Sequence, residues 1–300
     1  MKLIKLHSLS IGQKKAVDEL VAVCLKFDKL KRTLYLENDL NFYENLDSFY
    51  LLYEKGRLIS VLTILEPYMD TAEISAYTLP EYRRKGCFTK LFYRAADELE
   101  GYEISHVQFV IEPESKSGIS TARAFEAAYE RSDYLLQLKI NTVTEGWKRH
   151  QKEEILTNQS KGWVLRAIKE EESFEAVKLH QNIFKNSMEE AEHIIRSGLD
   201  SENMECYGFF IGNKLKGLCS LSFHSETASI FGLGITLSER GKGYGNALLY
   251  QVIKQAEEKG KKSITLEVAS ESIEAFAMYR NCGFEIATQY DYYTCALDNI

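Results

Sequence analysis

The sequence predicts an α/β protein, an α+β mixed sheet in each of two similar domains. Three observations carry that expectation. The chain has 300 residues, long for one compact domain and ample for two of about 100–150 residues each. One succession of elements occurs twice. Each copy opens with hairpins and continues strand–helix–strand, the combination that makes a mixed sheet with helices on its faces.

In the first half, Phe49 to Tyr53 alternates as a strand, Lys55-Gly56 turns, and Leu58 to Leu65 runs back. Ile74 to Leu79 is a third strand, ending at Pro80-Glu81-Tyr82-Arg83-Arg84-Lys85-Gly86-Cys87-Phe88. Phe88, Leu91, Phe92, Ala95 and Leu99 then fall at helix-face spacing. The second half repeats this order. Strands Tyr207 to Ile211, Leu215 to Phe223 and Ala228 to Thr236 lead into Arg240-Gly241-Lys242-Gly243-Tyr244-Gly245. A helix with Leu248, Leu249, Val252, Ile253 and Ala256 on one face follows. Strand Ser263 to Val268, helix Glu271 to Asn281 and Gly283-Phe284 complete the copy. Arg83 and Arg240 lie 157 positions apart, and Ala128-Tyr129 set against Gly283-Phe284 gives 155. So steady a separation implies internal duplication. The polar stretch from Asn141 to Lys161 reads as the linker, and Trp163 to Ile168 as the opening strand of the second half. The expected domains are therefore residues 1–150 and 151–300.

Composition narrows the function classes. With 45% hydrophobic and 27% charged residues, each half has enough apolar side chains for its own core. A net charge of −7 argues against a nucleic-acid partner, because phosphate contacts need a concentrated basic surface. Six cysteines are scattered without a Cys-x-x-Cys pair, so neither a disulfide framework nor a metal site is expected. No stretch approaches the roughly 18 apolar residues of a membrane span, and no apolar segment follows the charged N-terminus. These features predict a reduced, cytoplasmic protein without a membrane partner.

The turn Arg240-Gly241-Lys242-Gly243-Tyr244-Gly245 carries the chemistry. The first N–H groups of a helix lack internal partners and sit at the positive end of its dipole. Glycines let a diphosphate approach that backbone, and Arg240 and Lys242 add positive charge. A Walker loop is absent, and the alternating glycines after hairpins are no Rossmann fingerprint. A turn that merely starts a helix is the competing reading. The stretch Ile235 to Gly245 resembles motif A of the GNAT superfamily of N-acyltransferases, with Arg240, Gly243 and Gly245 filling its Gln/Arg-x-x-Gly-x-Gly/Ala signature. Val268, Ser272, Ala275, Met278, Tyr279, Gly283 and Phe284 resemble a second motif of that family. Leu237 stands where proline is common, and Ser272 where asparagine usually touches the cofactor.

The resemblance implies two GNAT-like domains, each a central mixed, mainly antiparallel sheet flanked by helices. It implies an N-acetyltransferase that moves an acetyl group from acetyl-CoA to an amine by direct attack. Leu233, Gly234 and Ile235 would align the pantetheine arm and hold the thioester oxygen. Arg240, Gly241, Lys242, Gly243, Tyr244, Gly245 and Asn246 would bind the diphosphate, with Ser272 as a further contact. Tyr279 matches the family's general acid for the departing thiolate. Glu267 resembles the strand glutamate that serves some members as base, a solvated strand carboxylate being the alternative; Glu226 is the next candidate. His180, His193 and His224 read as surface or packing residues. The first half resembles a degenerate copy that keeps Pro80, Arg83 and Gly86 but has Phe88 at the last Gly/Ala position and Ala124 opposite Tyr279. Glu73 could act as a base there, a solvated strand-edge carboxylate being the alternative, and that half is expected to be structural or to complete the acceptor pocket. The acceptor is a small-molecule or peptide amine, walled by Phe174 to Asn203, and the oligomeric state is open. Two other classes compete: an acyl-CoA sensor without turnover, and a scaffold that binds no CoA.

Overall fold

A computed structural model of the chain describes residues 1–143, 147 and 162–299. The boundary expected near residue 150 lies outside these residues. The elements of the first half are β1 (Lys2–Leu6), α1 (Ile11–Asp28), β2 (Phe49–Glu54), β3 (Arg57–Leu65), β4 (Thr71–Thr78), α2 (Cys87–Glu100), β5 (His106–Ile111), α3 (Lys116–Ala124) and β6 (Ala128–Lys139). The second half adds β7 (Trp163–Ala167), α4 (Ser173–Phe184), α5 (Met188–Asp200), β8 (Met204–Ile211) and β9 (Lys214–Phe223). It ends with β10 (Thr227–Ile235), α6 (Tyr244–Glu258), β11 (Ser263–Ala269), α7 (Ile273–Cys282) and β12 (Glu285–Ala296).

By contacts the chain forms two compact units, Met1–Ser132 with Thr288–Ile300, and Asp133–Ala287. The last strand of the first half thus belongs from Asp133 onward to the C-terminal unit. The last strand of the chain belongs from Thr288 onward to the N-terminal unit. Within the N-terminal unit the strands run β1-β2-β3-β4-β5-β12, antiparallel except for the parallel pair β4/β5. Within the C-terminal unit they run β7-β8-β9-β10-β11-β6, antiparallel except for β10/β11. Each unit is the mixed, mainly antiparallel sheet the sequence predicts.

The duplication is more regular than expected. The pairs α2/α6, β5/β11, α3/α7 and β6/β12 each begin 157 residues apart. The structure therefore sets Glu126-Ala127, not Ala128-Tyr129, against Gly283-Phe284. Glu126 (φ 53°) and Gly283 (φ 112°) both hold left-handed backbone just after α3 and α7. The residue matching Tyr279 is consequently Ala122, fully buried, rather than Ala124. Setting Tyr129, which stands exposed in β6, against Phe284 shifted the alignment by two positions.

In the C-terminal unit the strand alternation separates two faces. Phe209, Cys219, Leu221, Ile230, Leu266 and Val268 pack with α6 and α7. Phe210, Leu215, Leu218 and Cys206 pack with α4 and α5. Ser187 caps α5, its hydroxyl accepting from Glu190 N–H at 3.1 Å while the Glu190 carboxylate accepts from Ser187 N–H at 2.8 Å. That box fixes where α5 starts. All six cysteines are buried and free.

Candidate functional site

Strand β10 is regular only at first. Thr227 to Ile230 pair in parallel with Ser263 to Leu266 of β11, and the register recorded between the two strands ends there. On its other side the register with β9 shifts between Phe231 and Gly234. This bulge, with Gly232 at φ 57°, re-aims the strand at the point where it leaves its neighbour. The splayed segment runs into a short 3-10 turn at Leu237–Glu239 and then the glycine-rich loop.

The loop is braced by its own charges. Arg240 Nε donates to the Ile235 carbonyl at 3.1 Å, tying the loop back to the strand end. Lys242 pairs with Glu239 at 2.8 Å. Gly243 (φ 83°) is the N-cap of α6 and offers no side-chain cap. The first turn of that helix closes with Ala247 N–H on Gly243 O, so the amides of Tyr244, Gly245 and Asn246 precede the intrahelical ladder. Gly241 (φ 75°) would point a Cβ into open space, whereas a Cβ on Gly245 would lie 3.2 Å from Met278 Sδ. Gly245 thus serves close packing of α6 on α7 as much as access to the backbone.

Tyr279 is 5% exposed on α7 and stands edge-on to Phe284, ring centroids 5.7 Å apart. Burial pushes its hydroxyl well above the usual phenol range. Ser272 is the N-cap of α7, and its side chain makes no cap bond. Its counterpart Ser115 does cap, accepting from Gly118 N–H at 3.2 Å.

The N-terminal unit repeats the bracing. Arg83 Nε donates to the Thr78 carbonyl at 3.0 Å, and Gly86 (φ 73°) is the N-cap of α2. Arg84 takes a left-handed backbone (φ 59°) where the second copy has Gly241. Arg83 also grips Asp28 through two bonds of 2.8 and 2.6 Å. Strand β4 pairs with β5 only from Thr71 to Ile74, and a cavity of about 660 Å³ opens beyond, lined by Thr78, Arg83, Gly86, Phe109, Ser117 and Phe125 among others. Here β4 keeps its register with β3 throughout, so there is no bulge. Ser75 and Tyr77 occupy the places of Gly232 and Gly234. Arg32 crosses β4 at that point: its guanidinium donates to Ser75 Oγ, and Tyr77 Oη donates to its carbonyl.

The acetyltransferase (GNAT) family profile matches residues 15–123 and again 164–284. The chain belongs to the GNAT family. Among curated GNAT relatives, it is 30% identical over 94 residues to the uncharacterized N-acetyltransferase YvbK of Bacillus subtilis, covering 31% of this chain and 61% of that one. It is 33% identical over 86 residues to a streptothricin acetyltransferase from Escherichia coli, covering 28% and 49%. The chain thus spans about half the length of these relatives. In fold it is similar to a GCN5-related N-acetyltransferase from Sphaerobacter thermophilus, with a TM-score of 0.69 at 17% identity, over 98% of this chain and 96% of that one. It is also similar to a tandem GNAT protein from the clavulanic acid biosynthesis pathway, TM-score 0.68 at 15% identity, over 99% of both chains.

Within this GNAT frame the other predicted residues separate. Glu267 is exposed on β11, one step past the last pair with β10, on the face opposite Leu266 and Val268. Glu226 sits just before β10, its carboxylate paired with Lys262. Because β10 and β11 are parallel, that end is a full strand length from the splay, and Glu226 drops out. Glu73 lies within the paired part of β4, 4.0 Å from Arg131. His224 also stands at the far end, beside Ser222. Of the two roles the sequence offers His180, surface or packing, the structure gives it packing. It is 5% exposed, on α4, with Nε2 3.6 Å from where a Cβ of Gly232 would stand. Nothing in the sequence around a lone histidine distinguishes such a position from a surface one. Among the described residues no group of three or more His, Cys, Asp or Glu side chains converges as a metal site would require.

Proposed function

We propose that this GNAT protein is an acyl-CoA-dependent N-acetyltransferase working in its C-terminal unit. The observation that carries the reading is the continuity of three features: β10 parts from β11, bulges, and feeds a glycine loop whose Gly243 opens α6. The parted edge of β10 presents backbone groups to an extended pantetheine, as an unpaired strand edge does to any extended chain. Leu233, Gly234 and Ile235 line that edge. Amides at the start of α6, from Gly241 to Asn246, receive the diphosphate, and Ser272 supplies a further hydroxyl.

A neutral primary amine attacks the thioester carbonyl carbon. The C–N bond forms, the C–S bond breaks, and Tyr279 Oη gives its proton to the departing thiolate. A backbone N–H at the bulge holds the carbonyl oxygen as charge develops. Glu267 faces the α4 and α5 side of the sheet, where the acceptor enters. The acceptor is a small-molecule or peptide amine; the name of the streptothricin acetyltransferase supports the first. The six buried, free cysteines support a reducing, cytoplasmic setting.

A second reading applies to the N-terminal unit. Its open cavity beside Gly86, without a tyrosine at Ala122, favours binding of a CoA-type ligand there without transfer. Calorimetric titration of acetyl-CoA into wild type and Gly243→Trp tests both. Loss of all binding in the variant supports a single donor site in the C-terminal unit. One site surviving assigns a second to the N-terminal cavity. No binding by the folded wild type would sink the transferase reading.

A further inference from the structure

The parted stretch of β10 lies between two layers. On one side Ile230, Leu266 and Tyr279 are each 5% exposed or less and belong to the core under α6 and α7. On the other side stands α4, and the glycines of the bulge measure how near it comes. A Cβ on Gly234 would fall 2.6 Å from Ile183 Cγ2 and 3.0 Å from Phe184 Cζ, closer than packed carbons approach. A Cβ on Gly232 would lie 3.6 Å from His180 Nε2 and 3.8 Å from Phe184 Cε2, which is ordinary contact. Over Gly232 there is thus room for one carbon, and over Gly234 for none.

An acyl thioester held at this bulge has few ways to extend. The proposed pantetheine path takes Leu233 to Ile235, toward the glycine-rich loop. In the other direction the cleft ends at Ile230, paired with Leu266. The α6 side is filled by the buried core. A chain longer than acetyl must therefore grow over Gly232 and Gly234, into the space that their absent side chains leave. In the N-terminal unit the same places carry side chains, Ser75 and Tyr77, and both bond to Arg32. In the C-terminal unit Phe184 reaches both glycines. It follows His180 by four residues on α4, so the two rings share a helix face, centroids 4.6 Å apart. Phe184 is also 40% exposed, a wall between the bulge and solvent rather than a core residue.

We propose that Phe184 sets the length of the acyl group this protein transfers, admitting acetyl and turning away butyryl. This rests on the transferase reading and adds the residue that selects its donor. The acetyl methyl is the single carbon that fits over Gly232. The two further carbons of a butyryl chain would need the volume that the Phe184 ring occupies. Ile183 closes the place over Gly234 and leaves no detour.

Acetyl-CoA and butyryl-CoA are the probes, titrated calorimetrically into the full-length protein, into Phe184→Ala and into Phe184→Leu. The same titrations into Gly243→Trp give whatever binds outside the C-terminal unit, and are subtracted. Wild type should bind acetyl-CoA more tightly than butyryl-CoA by about tenfold or more, the lower range for a methylene that a pocket does not accommodate. Phe184→Ala should lower that preference by about tenfold as the methylenes gain their room. Phe184→Leu keeps a bulky side chain in case alanine does not fold, and should give a value between. Equal binding of the two esters by wild type overturns the inference, and so does a preference that survives in both variants. Acetyl-CoA itself separates the two readings. If it binds in the C-terminal unit and the chain-length ratio does not move, the transferase stands and Phe184 loses this role. If the folded protein does not bind it, or Gly243→Trp binds it as wild type does, the transferase reading falls and takes the inference with it.

Discussion

The phenol of Tyr279 is held among apolar side chains, and that environment disfavours the phenolate, keeping the group protonated at neutral pH. In the proposed reaction that proton goes to the departing thiolate. Tyr279→Phe removes that proton while leaving the ring against Phe284. It should therefore slow acetyl transfer about 100-fold while acetyl-CoA affinity stays within twofold. Steady-state CoA release and calorimetry read the two quantities, and an unchanged rate would hand the proton to another donor. The glycines separate by physics as well. Gly234→Ala forces a methyl into Ile183 and Phe184, an overpacking cost of about 1–3 kcal/mol. Gly241→Ala meets no neighbour but must hold φ near 75°, about 1–2 kcal/mol. Thermal denaturation of both variants should show a loss. Only Gly234→Ala should regain stability when paired with Ile183→Ala, because only there is the cause a contact.

Helix α4 packs Ile183 and Phe184 against Gly234 of β10, so its entry matters. Arg166, on β7, donates to Glu172 through both terminal nitrogens at 2.7 and 2.5 Å, and Lys169 N–H adds a bond of 3.0 Å. The Arg166 bonds chiefly, then the backbone donor, pull the Glu172 carboxyl from 4.5 down to about 2. A carboxyl lowered in the folded state stabilises above its unfolded value, near 4.5, and the gain disappears as pH falls through about 2. Glu172→Gln should accordingly melt lower than wild type at pH 7, modestly because the pair is partly exposed. The gap should close between pH 4.5 and 2, and a gap constant with pH would assign the loss to packing. Elements of this kind were the legible part of the chain. Strands β2, β3, β9 and β10 lie where the sequence places them, and the loop from Arg240 to Gly245 announces itself by glycine spacing. The tyrosine's counterpart was misplaced by two residues because its motif is too degenerate in the first half to anchor an alignment. Glu226 was retained as a candidate because the end of a strand at which a residue stands is not written locally.

At the level of the whole molecule, the choice of neighbour for β6 and for β12 is the feature least accessible from the sequence. Both strands have the same length and the same place in their halves, and nothing in their residues states which edge each will cover. In the structure β12 lies antiparallel to β5, from His106 opposite Ala296 to Ile111 opposite Asp291. Side chains fix that choice within the N-terminal unit. Thr288 Oγ1 donates to the buried Glu112 at 2.7 Å, Ser132 Oγ donates to Asp291 at 2.6 Å, and the Arg32 guanidinium lies 4.8 Å over the Tyr290 ring. On its other side β5 pairs with β4 only as far as Phe109. A chain ending at Ala287 should therefore expose those amides of Val107 to Ile111 that face β12, about 180 residues upstream of the cut. Strand β11, which takes its antiparallel neighbour from Asp133 to Lys139 of β6, should keep its protection. Native-state hydrogen exchange resolves the two strands separately. Loss of protection in β5 with retention in β11 is the expected pattern. Equal loss in both would mean that the units do not fold as separate cores, and full retention in β5 that another segment had taken the vacant edge.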